Sequence, residues 1–156
     1  MNATKRTPAG DALTGLILDL FRLNSLLLTA GDRLVAGLGL TSARWQILGA
    51  IVAAERPQPV AWLARDLGAN RQNVQRIVND LQKEGLVTFE TNPRHRRAQL
   101  VVLTDKGRQI YDAAGRLQVP WINGLSDGLL IKDLEIAHNV IAALRRRLDG
   151  DDEPEA

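Results

Sequence analysis

The sequence predicts a mostly α-helical fold with one β-hairpin, and three observations lead to this prediction. Long segments near both ends repeat apolar residues every three or four positions, as helices that pack lengthwise do. The middle, residues 40–104, consists of short helical segments separated by glycines, prolines and capping residues. Two runs rich in valine, leucine and threonine, 86–90 and 99–103, flank a polar loop that contains a proline and therefore indicate a hairpin.

Composition argues against most enzyme chemistry. The 156 residues suffice for one domain or for two small units that share a core. The chain has no cysteine, which excludes disulfides, thiolate nucleophiles and zinc sites built on cysteine. Only two histidines, His95 and His138, remain for metal binding or histidine-based catalysis. We therefore expect no cofactor, no metal site and no enzymatic activity.

The terminal segments suggest a cytoplasmic protein. Residues 1–10 are polar and lack the apolar stretch of a secretory signal, so we expect a flexible N-terminus. The most apolar run, 13–28, is interrupted by Asp19, Arg22 and Asn24 and is not expected to span a membrane. An acidic, flexible tail is expected over residues 149–156.

The charge of the chain is unevenly distributed, although its formal net charge is only +2. Between Arg71 and Arg97 there are six basic residues and three acidic ones. The tail that begins at Asp149 carries five acidic residues and no basic one. A basic middle segment indicates a polyanionic partner for that segment.

The segment 11–38 predicts a first long helix. Apolar or small residues recur at intervals of three and four, at Leu13, Leu16, Leu20, Leu23, Leu27, Ala30 and Leu34. At 1.5 Å per residue, 26 helical residues extend about 39 Å, which is longer than a small domain is wide. So long an apolar helix needs more packing partners than this chain easily supplies. We therefore expect a second subunit to supply them.

Residues 105–148 predict two further helices that join 11–38 in a dimerisation region. Thr104 is a suitable N-cap, Pro120 is expected to bend the helix, and residues 124–128 are expected to form a turn. The following helix repeats apolar residues at Leu134, Ala137, Ile141, Leu144 and Leu148. Arg145, Arg146 and Arg147 lie at its C-terminal end, where positive charge interacts favourably with the helix dipole.

The middle segment predicts three short helices before the hairpin. Thr41 caps the first, and Pro59 suits the first turn of the second, which ends at Gly68. Asn70 caps the third helix, which ends at Gly85. Two of the three tryptophans, Trp45 and Trp62, are expected to fill the core between these helices.

The second and third helices form a helix-turn-helix candidate because only residues 68–70 separate them. The third helix offers amides and guanidiniums opposite its apolar side, at Asn70, Arg71, Gln72, Asn73, Gln75, Arg76 and Asn79. Such groups recognise base edges, and the free amides of a helix N-terminus bind phosphate. The alternative is an ordinary solvated face, but such faces usually mix glutamate with lysine. The pattern therefore favours double-stranded DNA as the partner.

The loop of the hairpin supplies a second basic element. Residues 92–97 place Arg94, Arg96 and Arg97 beside His95. Arginine is favoured where a narrow minor groove concentrates negative potential. A solubilising turn is the alternative, although a turn does not require three arginines. A helix for the major groove and a hairpin arm beside it predict a winged helix-turn-helix over residues 40–104.

Three segments resemble the MarR family of winged-helix transcriptional regulators. They are LTSARW at 40–45, LARDLG to LQKEGLV at 63–87, and NPRHRRA to LTDKG at 92–107. The resemblance covers most of residues 11–148 in architecture. It implies a homodimer with interlocked terminal helices, a recognition helix from Asn70 in the major groove, and a wing arginine, Arg97 by position, in the minor groove. It also implies a small-molecule pocket, often for aromatic acids or antibiotics, at the junction where Trp121 is expected. The alternative for Trp121 is core packing, which is the more frequent role of a tryptophan.

The sequence departs from the family pattern in the wing. The family commonly has an acid two residues before the wing arginine, where this chain has His95. A neutral imidazole cannot orient Arg97 by charge, so the wing is expected to be less ordered without DNA. A protonated imidazole attracts phosphate, so we expect DNA affinity to rise as the pH falls.

The sequence as a whole predicts a repressor that binds a pseudo-palindromic operator as a homodimer and is released by a small-molecule effector. Half-sites would lie about 34 Å apart. Three alternatives remain: a winged-helix interaction module that binds no DNA, a regulator that senses nothing, and a serine esterase. The last rests on the GLSDG pattern around Ser126, which lacks the preceding strand that such enzymes need. A metal site at Glu135 and His138 would need a second such pair.

Overall fold

The computed structural model describes residues 5–149 and confirms a mostly α-helical fold with a β-hairpin. The helices within this range are α1 (Pro8–Val35), a 3-10 helix (Ala36–Leu38), α2 (Ser42–Ala53), α3 (Val60–Leu67), α4 (Arg71–Lys83), α5 (Asp105–Ser126) and α6 (Ile131–Asp149). The strands are β1 (Gln58–Pro59), β2 (Val87–Glu90) and β3 (Leu100–Leu103). The chain divides into two compact units, Met1–Gln118 and Val119–Ala156. The acidic tail predicted at 149–156 lies outside the described residues except for Asp149.

The core of the first unit is formed by the apolar sides of α2, α3 and α4, by the hairpin, and by single residues of α1 and α5. Its fully buried side chains are aliphatic, and the largest are Leu48, Leu63, Leu81, Val35, Val74, Val78, Val87 and Val101. The predicted inward side of α4 is confirmed, because Val74, Ile77, Val78 and Leu81 are all buried. This packing fixes which side of α4 faces solvent.

The two tryptophans expected in the core have different positions. Trp45 is half-buried and packs against the core. Trp62 is 44% exposed, so its predicted place in the core is wrong. The reason is helical periodicity: the inward side of α3 carries Val60, Leu63 and Ala64, and a residue two positions after Val60 points to the opposite side.

Side-chain caps begin two helices of the middle segment, α2 and α4, as the sequence predicts. The Thr41 hydroxyl accepts a hydrogen bond from the Arg44 amide at the start of α2. Asn70 Oδ1 accepts from the amides of Gln72 and Asn73, at 2.9 and 3.1 Å. Gly68 ends α3 with a φ of 60°, a left-handed conformation that glycine adopts without strain. These caps set a turn of three residues between α3 and α4.

The sheet has three strands, one more than the sequence predicts. The hairpin pairs β2 with β3 in antiparallel register, with Val87 opposite Leu103 and Glu90 opposite Leu100. The additional strand, β1, pairs with the other edge of β3, so the strand order is β1-β3-β2. It is only two residues long and includes Pro59, which lacks the amide proton of a regular strand. Such a strand gives no periodic signal in the sequence.

Helix α1 begins at Pro8, three residues before its predicted start. The Thr7 hydroxyl accepts from the Gly10 amide at 3.0 Å and caps the helix, so the end of the segment predicted to be flexible is helical. The side chains of α1 are largely exposed, with Phe21 and Leu26 each 68% exposed. By length and composition alone, the helical segment Pro8–Leu38 could cross a membrane, because it contains an 18-residue stretch with a mean hydropathy of 1.4. A helix side that packs against another protein chain has the same apolar character.

Helices α1 and α2 of the first unit meet at Gly31 and Ser42. The Ser42 amide donates to Asp32 Oδ1 at 2.7 Å, and its hydroxyl donates to the Leu28 carbonyl at 2.8 Å. A Cβ at Gly31 would collide with the Ser42 hydroxyl. The missing side chain at Gly31 therefore permits the close approach of the two helices.

Helix α5 begins at the predicted cap, since the Gly107 amide donates to the Thr104 hydroxyl at 3.0 Å. It continues through Pro120 to Ser126, so the turn predicted from Gly124 begins three residues too early. Proline inside a helix removes one hydrogen bond, and the remaining bonds of this long helix maintain it. Gly128, with a φ of 77°, turns the chain toward α6, where no described side chain is buried.

Candidate nucleic-acid interface

The outward side of α4 presents the predicted polar residues together. Arg71, Gln72, Asn73 and Arg76 are exposed, and Gln75 is half-buried. These side chains face solvent because the opposite side of α4 is buried in the core. The Asn70 side chain caps the first turn of the helix. No acidic residue occurs in that first turn. The N-terminal amides and two guanidiniums therefore give this end of α4 a positive potential.

Hydrogen bonds along α4 orient two of these side chains. The Arg76 guanidinium donates to Asn73 Oδ1 at 2.8 Å. The Gln75 side-chain amide donates to Asn79 Oδ1 at 2.9 Å. Each bond joins residues three or four positions apart, which are neighbours on a helix surface. These contacts restrict the two side chains in the free protein, so less entropy would be lost when they bind a partner.

The wing loop is closed by Asn92. Its Nδ2 donates to the Ala98 carbonyl at 3.0 Å, and its Oδ1 accepts from the Arg94 amide at 3.0 Å. Two backbone bonds, from His95 to Asn92 and from Ala98 to His95, tighten the loop further. Thus an amide side chain shapes this loop at its base, and the side chains of Arg94, His95, Arg96 and Arg97 are exposed.

One groove brings the outward side of α4 and the wing together. Its volume is about 440 Å³, and it is lined by Arg71, Gln75 and Asn79 from α4 and by Arg97 from the wing. Arg94 and His95 line a different pocket, which also contains Trp62. Gln72, Asn73, Arg76 and Arg96 are exposed outside both. The predicted residues therefore form a surface with two parts.

The guanidiniums of this surface are not neutralised within residues 5–149. The acidic side chains at the C-terminal end of α4 are engaged elsewhere: Asp80 lies 4.0 Å from the Lys83 ammonium, and Glu84, which follows the helix, binds Arg44 at 2.7 Å. In that described range, none of the predicted arginines of α4 or of the wing forms an ion pair with a carboxylate. A polyanion would therefore meet uncompensated positive charge.

Two glutamines of the groove, Gln82 and Gln99, were not predicted as site residues. Gln82 could have been found by extending the helical spacing from Arg71 through Gln75 and Asn79, because it lies one turn further along the same side. Gln99 begins the strand that returns from the wing. No local signal identifies it, since its place beside α4 depends on the tertiary fold.

The alternative sites do not have the geometry of a catalytic or metal centre. Ser126 is the last residue of α5, follows helix rather than strand, and donates to the Asn123 carbonyl at 3.0 Å. Its surroundings therefore differ from a nucleophile elbow. Within residues 5–149 no group of three or more His, Asp or Glu residues is placed to hold a metal ion.

Comparison with known sequences finds a family and several relatives. A model of the MarR family matches residues 38–98. An uncharacterised protein of Mycobacterium tuberculosis (strain H37Rv) is 40% identical over 119 residues, which are 76% of this chain and 82% of that protein. The transcriptional activatory protein BadR of Rhodopseudomonas palustris is 30% identical over 105 residues, covering 64% of this chain and 58% of BadR.

Solved structures share the fold along most of the chain. The MarR family transcription regulator SP03579 is 26% identical, with a TM-score of 0.75 over 90% of this chain and 92% of that one. MosR of M. tuberculosis in complex with DNA has a TM-score of 0.74 at 22% identity, over 88% of this chain and 98% of that one. CouR of Rhodococcus jostii RHA1, bound to p-coumaroyl-CoA, has a TM-score of 0.65 at 20% identity, over 88% of this chain and 91% of that one.

Proposed function

Because the chain belongs to the MarR family of transcription regulators, we propose that it is a sequence-specific repressor that binds double-stranded DNA as a homodimer. The observation that carries this proposal is the groove that unites Arg71, Gln75 and Asn79 of α4 with Arg97 of the wing. A helix end rich in amides and a basic arm beside it fit the major groove and the adjacent minor groove of one duplex.

The two parts of the surface are assigned different tasks. Arg71, Gln72, Asn73, Gln75 and Arg76 lie on the first two turns of α4, where a recognition helix contacts base edges and phosphates, and Asn70 presents the amides of that end. Arg94, His95, Arg96 and Arg97 lie on the wing, where guanidiniums respond to minor-groove width and phosphate charge. The helix therefore specifies sequence, whereas the wing contributes affinity and position.

A second copy of the chain would cover the exposed apolar side of α1. Leu16, Leu23 and Leu27 of the predicted repeat are all exposed in one copy, although the repeat is typical of helices that pack lengthwise. In α6, taken by itself, Leu134 and Ile141 are exposed as well.

We assign residues 11–38 and 105–148 to dimerisation and residues 40–104 to DNA binding. A two-fold axis then requires a pseudo-palindromic operator.

The proposed regulator acts in the cytoplasm as a repressor, and binding of a small aromatic ligand releases it from DNA. CouR, which shares the fold, is bound to p-coumaroyl-CoA, and this supports an aromatic ligand. The relative BadR is named as an activatory protein, so activation is the competing direction. A reporter gene placed behind the operator distinguishes the two: deletion of the regulator raises expression for a repressor and lowers it for an activator.

Selection from fragments of the source genome tests the proposal directly. The full chain is expected to enrich fragments that share a pseudo-palindrome, and gel shift should show a single specific complex per site. A double variant, Arg71→Ala with Arg97→Ala, should lose this enrichment, whereas Arg22→Ala on α1 should retain it. Failure of the wild-type chain to bind any duplex at low ionic strength would instead favour a protein-interaction module.

A further inference from the structure

A side chain continues the strand register of the hairpin into the wing loop. Strands β2 and β3 end with Glu90 opposite Leu100. Two residues further along each strand, the same register places Asn92 opposite Ala98. At this position Asn92 Nδ2 donates to the Ala98 carbonyl at 3.0 Å. The Asn92 side chain therefore supplies the cross-strand hydrogen bond that a backbone amide supplies inside an antiparallel ladder.

The same residue forms two further bonds inside the loop. Asn92 Oδ1 accepts from the Arg94 amide at 3.0 Å. The Asn92 backbone carbonyl accepts from the His95 amide at 3.2 Å. The next turn is closed by the Ala98 amide, which donates to the His95 carbonyl at 3.0 Å. Every one of these loop bonds except the last involves Asn92, so the shape of residues 92–98 depends on it.

Asparagine makes both side-chain bonds at once because its amide carries a donor and an acceptor. The donor serves the Ala98 carbonyl, and the acceptor serves the Arg94 amide. Aspartate has nearly the same shape but accepts only, so its oxygen would face the Ala98 carbonyl oxygen at this position. Alanine would make neither bond. The closure of the loop therefore depends on the amide group of Asn92 and not on the size of its side chain.

Arg97 is the wing arginine that this closure restrains most directly. It precedes Ala98 in the chain, so the bond from Asn92 to the Ala98 carbonyl restrains the backbone beside it. Arg97 lines the groove that it shares with Arg71 of α4. The residue two positions before Arg97 is His95 and not an acid, so no carboxylate orients the guanidinium from that position. The place of Arg97 in the groove then depends on the backbone of the loop.

We propose that Asn92 positions Arg97 for DNA by holding the wing loop in one shape before DNA is present. The sequence alone predicts a wing that is less ordered without DNA, because His95 replaces an acid. Asn92 supplies the order by a different route. Restraint in the free protein lowers the conformational entropy lost on binding, so it raises affinity without a new contact to DNA. The effect on DNA rests on the proposed function, whereas the order of the free loop does not.

Amide hydrogen exchange, measured by NMR on the full chain without DNA, tests the order of the loop by itself. The amides of His95 and Ala98 should exchange about tenfold faster in Asn92→Ala than in the wild type. Thr91→Ala, which shortens the exposed neighbouring residue, is the matched control and should exchange as the wild type does. Equal exchange rates in the wild type and in Asn92→Ala overturn the proposal.

Titration with an operator duplex tests whether Asn92 acts through Arg97. Asn92→Ala should weaken operator binding about threefold to tenfold. It should leave the slope of log affinity against log salt unchanged, because no cation is removed. In a chain that already carries Arg97→Ala, the same substitution should cost less than about twofold, because the residue that Asn92 positions is gone. Equal losses in both backgrounds overturn the positioning role.

Asn92→Asp separates the bond to Ala98 from the size of the side chain. Thr91→Asp adds the same negative charge one residue away and keeps Asn92, so it is the control for charge. Asn92→Asp should bind the operator at least about threefold more weakly than Thr91→Asp. Equal affinity of these two variants overturns the proposal. A chain whose loop exchange responds as expected but that binds no duplex retains the ordered wing and refutes the proposed function.

Discussion

The guanidinium of Arg44 binds the carboxylate of Glu84 through two parallel hydrogen bonds, of 2.7 and 3.0 Å, across 40 residues of sequence. The same guanidinium donates to the Gly39 carbonyl at 3.2 Å. The Lys106 ammonium donates to the backbone carbonyl of Glu84 at 2.8 Å. The C-terminal end of α4 is thus tied to the start of α2 and to the start of α5. Bidentate pairs of this kind fix the relative orientation of the two side chains and also stabilise the folded state.

Breaking this pair should weaken operator binding through the position of α4. Glu84→Gln removes the charge but keeps the shape, and we expect a loss of about 1 kcal/mol in the free energy of unfolding, since Glu84 is half-exposed. Operator affinity should fall about threefold to tenfold, because the recognition helix is held less firmly. Urea denaturation and gel shift measure the two effects.

The exchanged pair, Arg44→Glu with Glu84→Arg, is the control for this effect. It restores opposite charges at the same two positions. The double variant should therefore recover most of the operator affinity that Arg44→Glu or Glu84→Arg loses alone. If the double variant binds no better than the single ones, the contact does not position α4.

Gly31→Ala should destabilise the first unit by about 1–3 kcal/mol, because the new Cβ would collide with the Ser42 hydroxyl between α1 and α2. Gly15→Ala is a matched control in the same helix, since a Cβ there would have no atom within 4 Å. The control should be neutral or gain up to about 1 kcal/mol from helix propensity. Thermal denaturation compares them at equal protein concentration, and similar effects at both glycines would refute the close packing.

The wing and the recognition helix should respond differently to substitution. Arg97→Ala is expected to weaken binding to all duplexes and to lower the slope of log affinity against log salt by up to about one. Gln75→Ala should change which operator is preferred, at a cost of about 1–3 kcal/mol for the preferred base pair. Titrations at several salt concentrations with operator and scrambled duplexes separate the two effects. Equal losses on every duplex for both variants would contradict this division.

Local patterns in the sequence predicted the elements that local chemistry controls. Thr41 and Asn70 cap their helices, and Gly68 ends α3, because each of these roles depends on a few neighbouring residues. The exposed position of Trp62 also follows from its spacing to Val60, although tryptophan composition alone suggested the core.

Features that join distant segments were not predictable. Strand β1 exists only because β3 lies beside it, and the groove includes Gln99 only because the hairpin folds toward α4. The Arg44–Glu84 pair spans 40 residues. The sequence around Arg44 and the sequence around Glu84 look like the surroundings of any exposed charged residue. Neither indicates that the two side chains form a pair.

Charge at position 95 should set how strongly the wing binds DNA. His95 is exposed on the wing between two arginines that are proposed to bind DNA. A positive charge at this position attracts the DNA phosphates. We therefore expect His95→Lys to raise the affinity for all duplexes about threefold at constant salt and pH.

Two control variants show whether position 95 is responsible. His138→Lys, which adds the same charge at the other histidine of the chain, should bind DNA as the wild type does. His95→Gln, which adds no charge, should also bind as the wild type does. Equal affinity of the wild type and His95→Lys, measured by gel shift at one salt concentration, would show that the side chain at position 95 does not approach the DNA phosphates.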